Sequence, residues 1–267
     1  MTSQPFNLCI PSKTFLIGEY SVLSKSKAII FAHAPYFQCV PRQNSNWPSH
    51  PAVQDYINIS REFAFIDPHQ GQGGFGASSA LIIAIAHHLK PFDVVFAHSL
   101  NNKYHPNSSG ADVIGQYFGN LSLINTKTHS ATPITLAPNW AITILKTPIK
   151  VNSHQHLCNL PLYDADHLNT LIENYIENSN DINVAAKIIN DYENVLQSHD
   201  LRHPSTIDYI KAIQNIPNVL AVKGCGALGA DVLLILSHKS HQMQIIGQLP
   251  KSLTVVANQQ DIAKGIL

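Results

Sequence analysis

The sequence predicts an α+β fold, on three observations. Short runs alternating apolar and polar residues mark strands, and longer segments with a 3.6-residue apolar period mark helices. The two kinds of segment are mixed, without the regular βαβ alternation of a doubly wound sheet. Of the 267 residues, 45% are hydrophobic and 13% charged, enough for a sizeable core and too apolar for a disordered chain. The length suits one large domain or two modest ones.

Taken in order, the runs FNLCI, TFLIG, AIIFAHA and YFQCV between residues 5 and 40 predict short strands bounded by turn residues. Residues 41–51, rich in Asn, Ser and Pro, read as a loop, and REFAFI (61–66) as a strand. A helix is predicted over 78–89, apolar almost all round and therefore buried. Residues 92–101 fit a helix or a strand; residues 112–117 fit one or two helical turns, and LSLIN fits a strand. A second region begins near residue 139 with the strand AITILKT. Helices follow over 164–178, 182–198 and 205–215, the second with Asp181 as its N-cap. VLAVKG, a turn of small residues and DVLLILS read as a hairpin. A helix over 241–249 and the strand SLTVVA close the chain.

The formal net charge is zero and no basic stripe is visible, which argues against nucleic acid as a partner. The longest apolar runs, such as Ala80–Ala86, are too short to span a bilayer. The stretch MTSQPFNLCIPSK has no basic segment followed by a long apolar one, so no signal peptide is expected. Four cysteines (Cys9, Cys39, Cys158 and Cys225) lie far apart with no CxxC, as expected of reduced thiols in a cytoplasmic protein. The 15 histidines are scattered, with no HExxH and no spacing that suits zinc. The pair His87-His88, late in its helix, suits the negative end of the helix dipole better than a metal.

The stretch GQGGFGASSA (71–80) strips away side chains just before an apolar helix. Gly71, Gly73 and Gly76 fit GxGxxG, but DPHQ separates them from the preceding strand, and Asp93 precedes the next apolar run instead of ending it. Gly71, Gly76 and Ser78 fit a Walker loop, except that Ala77 stands where its lysine belongs. A third reading is a different phosphate cradle. Bare main-chain amides at Gly74–Ser79 approach the anion, and the helix adds its unpaired donors and dipole. A tight turn with no ligand is the alternative.

Two further segments bear on that choice. PSKTFLIGEYSVL (11–23) and KGCGALGAD (223–231), with GFGASSA between them, resemble the three motifs of the GHMP kinase family. SGADV (109–113) followed by Gly119-Asn120 is similar to the family's SG-x-D-V segment, and His203-Pro204-Ser205 resembles its lead-in to the third motif. The resemblance covers most of the chain. It implies an N-terminal domain like ribosomal protein S5 domain 2 (1–138) and a C-terminal ferredoxin-like domain (139–267), with the ligands between them.

It also implies ATP and Mg2+ as cofactors, a small-molecule acceptor and a cytoplasmic enzyme, and leaves a homodimer open. Asp112 aligns with the catalytic aspartate, which orients the acceptor hydroxyl and takes its proton. Lys13 aligns with the motif-one lysine, which stabilises charge developing on the acceptor or phosphoryl oxygens. Gly74, Phe75, Gly76, Ala77, Ser78 and Ser79 would hold the nucleotide, with Ser78 also turned to Mg2+. Tyr20 and Glu19 would line the substrate side, or Glu19 forms a structural ion pair. Gly226, Ala227 and Gly229 would form the third loop. Gly18-Glu19-Tyr20 in place of GEH, and Asp231 after the glycine run, lean slightly toward phosphomevalonate over mevalonate as acceptor.

Three departures matter. Ser12 replaces a motif-one glycine; Leu228 and Ala230 replace motif-three glycines; and no acid lies between Asp93 and Asp112, where Asn101 and Asn102 stand near the expected metal ligand. They keep open a binding protein without catalysis. A diphosphomevalonate decarboxylase is the other alternative. The adenine pocket is not legible, and neither is an anion clamp: the arginines number three, with Lys146 and Lys150 as weak substitutes.

Overall fold

A computed structural model describes residues 7–41, 47–151, 156 and 160–266. Two antiparallel sheets organise it. The first contains β1 (Leu8–Ile17), β2 (Lys27–Pro41), β3 (Phe63–Ile66), β4 (Leu121–Asn125) and β5 (Ser130–Pro133). Their order is β1-β2-β4-β5, with β3 paired to the far end of β2. The runs expected as several short strands are thus two long ones. Their alternation is broken by register shifts at Pro11/Ser12 and Phe15/Ile17, and by the burial of β1 along nearly its whole length. Arg61 and Glu62 end a short helix, α2 (Ile57–Glu62), which follows α1 (Pro51–Asp55), so the strand begins only at Phe63.

Against this sheet lie α3 (Ala77–Leu89), α4 (Val94–Tyr104) and α5 (Ala111–Phe118). The ambiguous stretch from 92 is helical because Asp93 caps it, its carboxylate accepting from Phe96 N at 2.8 Å. Helix α3 is buried from Ser79 to His87, as its all-round apolar sequence predicts. His87 departs from expectation: it is buried, and burial lowers its pKa, which disfavours the cation that the helix dipole would hold.

The second sheet has the order β7 (Val219–Cys225), β8 (Val232–His238), β6 (Trp140–Lys146), β9 (Thr254–Asn258), all antiparallel. Counted along the chain this order is 2-3-1-4, the ferredoxin-like arrangement. Among the described residues, the helices between β6 and β7 are α6 (Ala165–Asn178), α7 (Ile182–Ser198) and α8 (Pro204–Gln214); α9 (Gln242–Ile246) precedes β9. Asp181 caps α7 as expected, accepting from Asn183 N at 2.8 Å. The strand VLLILSH is apolar without alternation because both faces are covered. Val232, Leu234 and Leu236 join the main core with α6 and α7, while Leu233 and Ile235 pack with Ile210, Ile213 and Ile245 of α8 and α9. The main core is continuous through both sheets, from Leu8 to Ala257.

Candidate active site

Lys13 sits in the middle of β1, and its side chain is only 5% exposed. Its Nζ lies 2.9 Å from Asp112 Oδ2. Asp112 is the second residue of α5, which starts from Gly110 in the left-handed region (φ 74°). The chain reversal there aims the carboxylate at β1. The Lys13 backbone N–H donates to Phe75 O at 3.1 Å, so the same residue that meets Asp112 also ties down the glycine loop.

That loop turns around Phe75, whose ring is fully buried and stacked on His69 with centroids 4.0 Å apart. Phe75 therefore anchors the loop in the core and presents only backbone. Gly76 (φ 89°) hands the chain to α3, and a Cβ there would lie 2.8 Å from Gln116 Nε2 and 3.1 Å from Lys13 Cγ. The loop's other flank leans on the second sheet. A Cβ at Gly73 would meet the Asp231 carboxylate. Lys150 Nζ donates to Gly71 O at 2.6 Å, and Gln72 Nε2 reaches the carbonyls of Thr147 and Ile149 at 3.3 Å. Asp231 is 1% exposed, and its Oδ1 has no hydrogen-bond partner. Burial pushes its pKa up to about 6.

The two serines after the loop have different surroundings. Ser79 is buried, its hydroxyl 2.9 Å from Gly76 O and 2.6 Å from Gln116 Oε1, so it braces the loop from behind. Ser78 is at the surface of the cleft. Its Oγ lies 2.9 Å from His105 Nε2 and 3.4 Å from His50 Nε2. No motif in the sequence marks either histidine. Asn101, at the expected place of a metal ligand, is buried and donates to Ser108 Oγ at 3.0 Å. Among the described residues no group of three or more His, Cys, Asp or Glu is arranged to hold a metal. The donors beside Ser78 are imidazole nitrogens, and Asp112 is already ion-paired, so they do not fit a Mg2+ held by protein side chains, which would prefer oxygen.

On the third side of the cleft Glu19 is buried in an ion-pair network. Its Oε1 accepts from Lys223 Nζ at 2.7 Å and Arg202 Nη2 at 3.1 Å. Arg202 in turn grips Glu193, with Nε 2.8 Å from Oε1 and Nη2 2.7 Å from Oε2. Glu19 thus forms the ion pair while it also borders the cleft. Tyr20 OH accepts from Leu228 N at 3.0 Å and lies 3.0 Å from His156 Nε2; burial raises its pKa to about 12. Gly226 and Ala227 line the cleft. Gly229 does not: it packs back on Gly224 and the stem of Arg202. Leu228 keeps a glycine-type conformation, with φ 52° and ψ 14°. The cleft between these elements measures about 350 Å3, and Lys13, Glu19, Tyr20, Gly74, Ser78 and Asp112 all border it.

A scan against models of protein families finds no match, and neither does a comparison with curated protein sequences. Solved structures do match. The chain resembles the mevalonate kinase of Methanococcus jannaschii with a TM-score of 0.72 at 13% identity, over 99% of this chain and 100% of that one. It resembles the Streptococcus pneumoniae phosphomevalonate kinase bound to phosphomevalonate and AMPPNP with a TM-score of 0.70 at 12% identity, over 96% and 99%. The homoserine kinase of Cytophaga hutchinsonii gives 0.70 at 14% identity, over 100% and 98%. The chain has the GHMP kinase fold. The sequence motifs that resemble this fold's kinases border one cleft: motif one on β1 and the turn after it, motif two at the start of α3, and motif three between β7 and β8. Among the described residues no helix is long and apolar enough to cross a membrane.

Proposed function

We propose that this protein is an ATP-dependent small-molecule kinase with an acceptor of the mevalonate class. The observation that carries the reading is the Lys13–Asp112 pair, 2.9 Å apart, bordering the same cleft as the glycine loop and the first turn of α3. The nucleotide's phosphates lie along the backbone of Gly74–Ser78, where unpaired amides and the helix dipole favour an anion. The acceptor hydroxyl sits between Asp112 and the γ-phosphorus. Its oxygen forms the new P–O bond as its proton passes to Asp112, and the bond from the γ-phosphorus to the bridging oxygen breaks to release ADP. Lys13 stabilises the charge on the oxygens in flight.

Two observations refine this. Lys13 is the only lysine or arginine among the described residues bordering the cleft. Arg202 is spent on Glu193 and Glu19, and Lys150 on the loop backbone. That favours mevalonate, with its hydroxyl acceptor, over the already phosphorylated phosphomevalonate. Leu228 holds the left-handed backbone that glycine adopts freely, which supports the kinase over a binding protein without catalysis.

The test is ADP release from ATP in the presence of mevalonate, phosphomevalonate, homoserine or sugars, with carbon dioxide followed in parallel. Asp112→Asn should lower kcat by about 10²- to 10⁴-fold with nucleotide affinity nearly unchanged. Full turnover in that variant removes Asp112 from the chemistry. ATP binding without ADP release for any acceptor favours the binding protein, and CO2 release favours the decarboxylase.

A further inference from the structure

The corner at Ser78 holds a group of side chains that the transfer step does not use. His50 directly precedes α1, and His105 directly follows α4. Both present Nε2 to the same hydroxyl, and the two Nε2 atoms are 3.2 Å apart. The rings meet edge to face with centroids 5.2 Å apart, and Tyr104 packs against His50 at 5.8 Å. Three polar atoms from three segments thus converge at the first turn of α3.

Their protons can be counted. His50 Nδ1 accepts from Ala52 N at 3.2 Å, capping α1. A neutral imidazole that accepts at Nδ1 carries its hydrogen on Nε2. His50 Nε2–H is therefore a donor, and His105 Nε2 faces it as the acceptor. A second proton on His105 would set two N–H groups against each other at this distance, unless an anionic oxygen lay between them. With such an oxygen, His50, His105 and Ser78 all become donors to it, and charge-assisted bonds of this kind are the strong ones. A divalent metal would instead need lone pairs on both Nε2 atoms, and His50 would have to surrender its bond to Ala52.

Among the described residues, two couples of opposite charge flank the pair. On the α1 and α4 side, Lys103 Nζ and Tyr104 OH both contact Asp55 Oδ2, at 2.6 and 2.7 Å. Across the cleft Asp112 is paired with Lys13. Each set contains one lysine and one aspartate. Protonation of an imidazole would add a positive charge at the point where Ser78 Oγ and the two Nε2 atoms converge.

We propose that His50 and His105 form a proton-coupled phosphate clamp: a phosphate oxygen binds between the two Nε2 atoms and Ser78 Oγ as His105 takes up one proton. The proposal rests on the kinase reading only for naming that phosphate as part of a nucleotide. Among the described residues no group of three or more His, Cys, Asp or Glu is arranged to hold a metal there, and the two imidazoles face Ser78 Oγ instead.

The test is calorimetric titration of inorganic tripolyphosphate, and separately of ATP, both in EDTA, near pH 7 in buffers of different ionisation enthalpy. The wild type should take up more protons per anion than His105→Gln, by a fraction approaching one. The glutamine keeps an amide donor but cannot titrate. Wild-type affinity should fall as pH rises, and His105→Gln should flatten that slope. His105→Ala should weaken tripolyphosphate about tenfold or more. Because His50 caps α1, its alanine variant is read only where its melting curve remains cooperative. Equal proton uptake in wild type and His105→Gln overturns the clamp. So does a His105-dependent tetrahedral Co2+ spectrum without proton-linked tripolyphosphate binding, which would make the corner a metal site. Loss of the clamp with ATP turnover intact leaves the kinase reading standing. A proton-linked clamp in a protein that turns over no acceptor removes the kinase reading alone.

Discussion

Leu228 holds a conformation that costs a side chain about 1 kcal/mol or more, and that glycine adopts freely. Two hydrogen bonds keep it there: its N–H donates to Tyr20 OH at 3.0 Å, and its carbonyl accepts from His203 N at 2.9 Å. Leu228→Gly should therefore raise the unfolding free energy by about 0.5–1 kcal/mol in a urea titration. A loss of similar size would mean that the half-buried leucine side chain contributes more through packing than its backbone costs. Glu19 behaves differently. Its partners Lys223 and Arg202 lie 204 and 183 residues away, so no local pattern could decide between substrate contact and ion pair. Glu19→Gln leaves two buried cations short of a charge, and the expected loss is about 3–5 kcal/mol of stability. Wild-type stability with a raised KM for the acceptor would instead return Glu19 to the substrate side. At this scale the sequence carried Lys13 and Asp112 through motif spacing. It missed His50 and His105 because each is a loop residue 27 or 28 positions from Ser78.

The glycine loop and α3 show how far an element can be read and where reading stops. Bare backbone before an apolar helix was legible, and so was the buried helix. The packing that also demands the glycines was not, because it comes from other elements: Lys13 of β1 and Gln116 of α5 on one flank, Asp231 and Val232 at the start of β8 on the other. Gly76→Ala tests both demands together. Its φ of 89° is strained for alanine, and its Cβ would press on the Gln116 amide and the Lys13 stem. The variant should lose about 2–4 kcal/mol of stability, and its surviving folded fraction should turn over slowly because Lys13 is displaced from Asp112. Wild-type melting with normal kcat would show that the loop yields at no cost. The long strands β1 and β2 look like fragments in the sequence for a related reason. Burial on both faces and two register shifts erase the period-two signal on which strand recognition depends.

On the scale of the whole molecule, three buried titratable groups surround the glycine loop. His33 and His69 both contact the Phe75 ring, with centroids 6.0 and 4.0 Å away, and Asp231 presses on Gly73 from the second sheet. Burial lowers the pKa of each histidine to about 4 and raises that of Asp231 to about 6. The signs oppose each other. A depressed histidine contributes stability that is present above its ordinary value of 6.5 and lost as pH falls through 4. A raised carboxyl contributes stability that is present below its ordinary 3.8 and lost as pH rises through 6. Each contribution is about 3 kcal/mol at most, so two losses against one gain leave a net loss of about 3 kcal/mol from these groups on acidification from pH 7 to 4. Asp231→Asn separates the terms. The amide cannot titrate, so the variant should be more stable than wild type at pH 7, and its stability should fall more steeply toward pH 4. The two urea-midpoint curves should therefore converge as the pH drops. Parallel curves would mean that Asp231 ionises as an ordinary surface carboxylate, and that its contact with the loop places no charge penalty on the junction between the sheets.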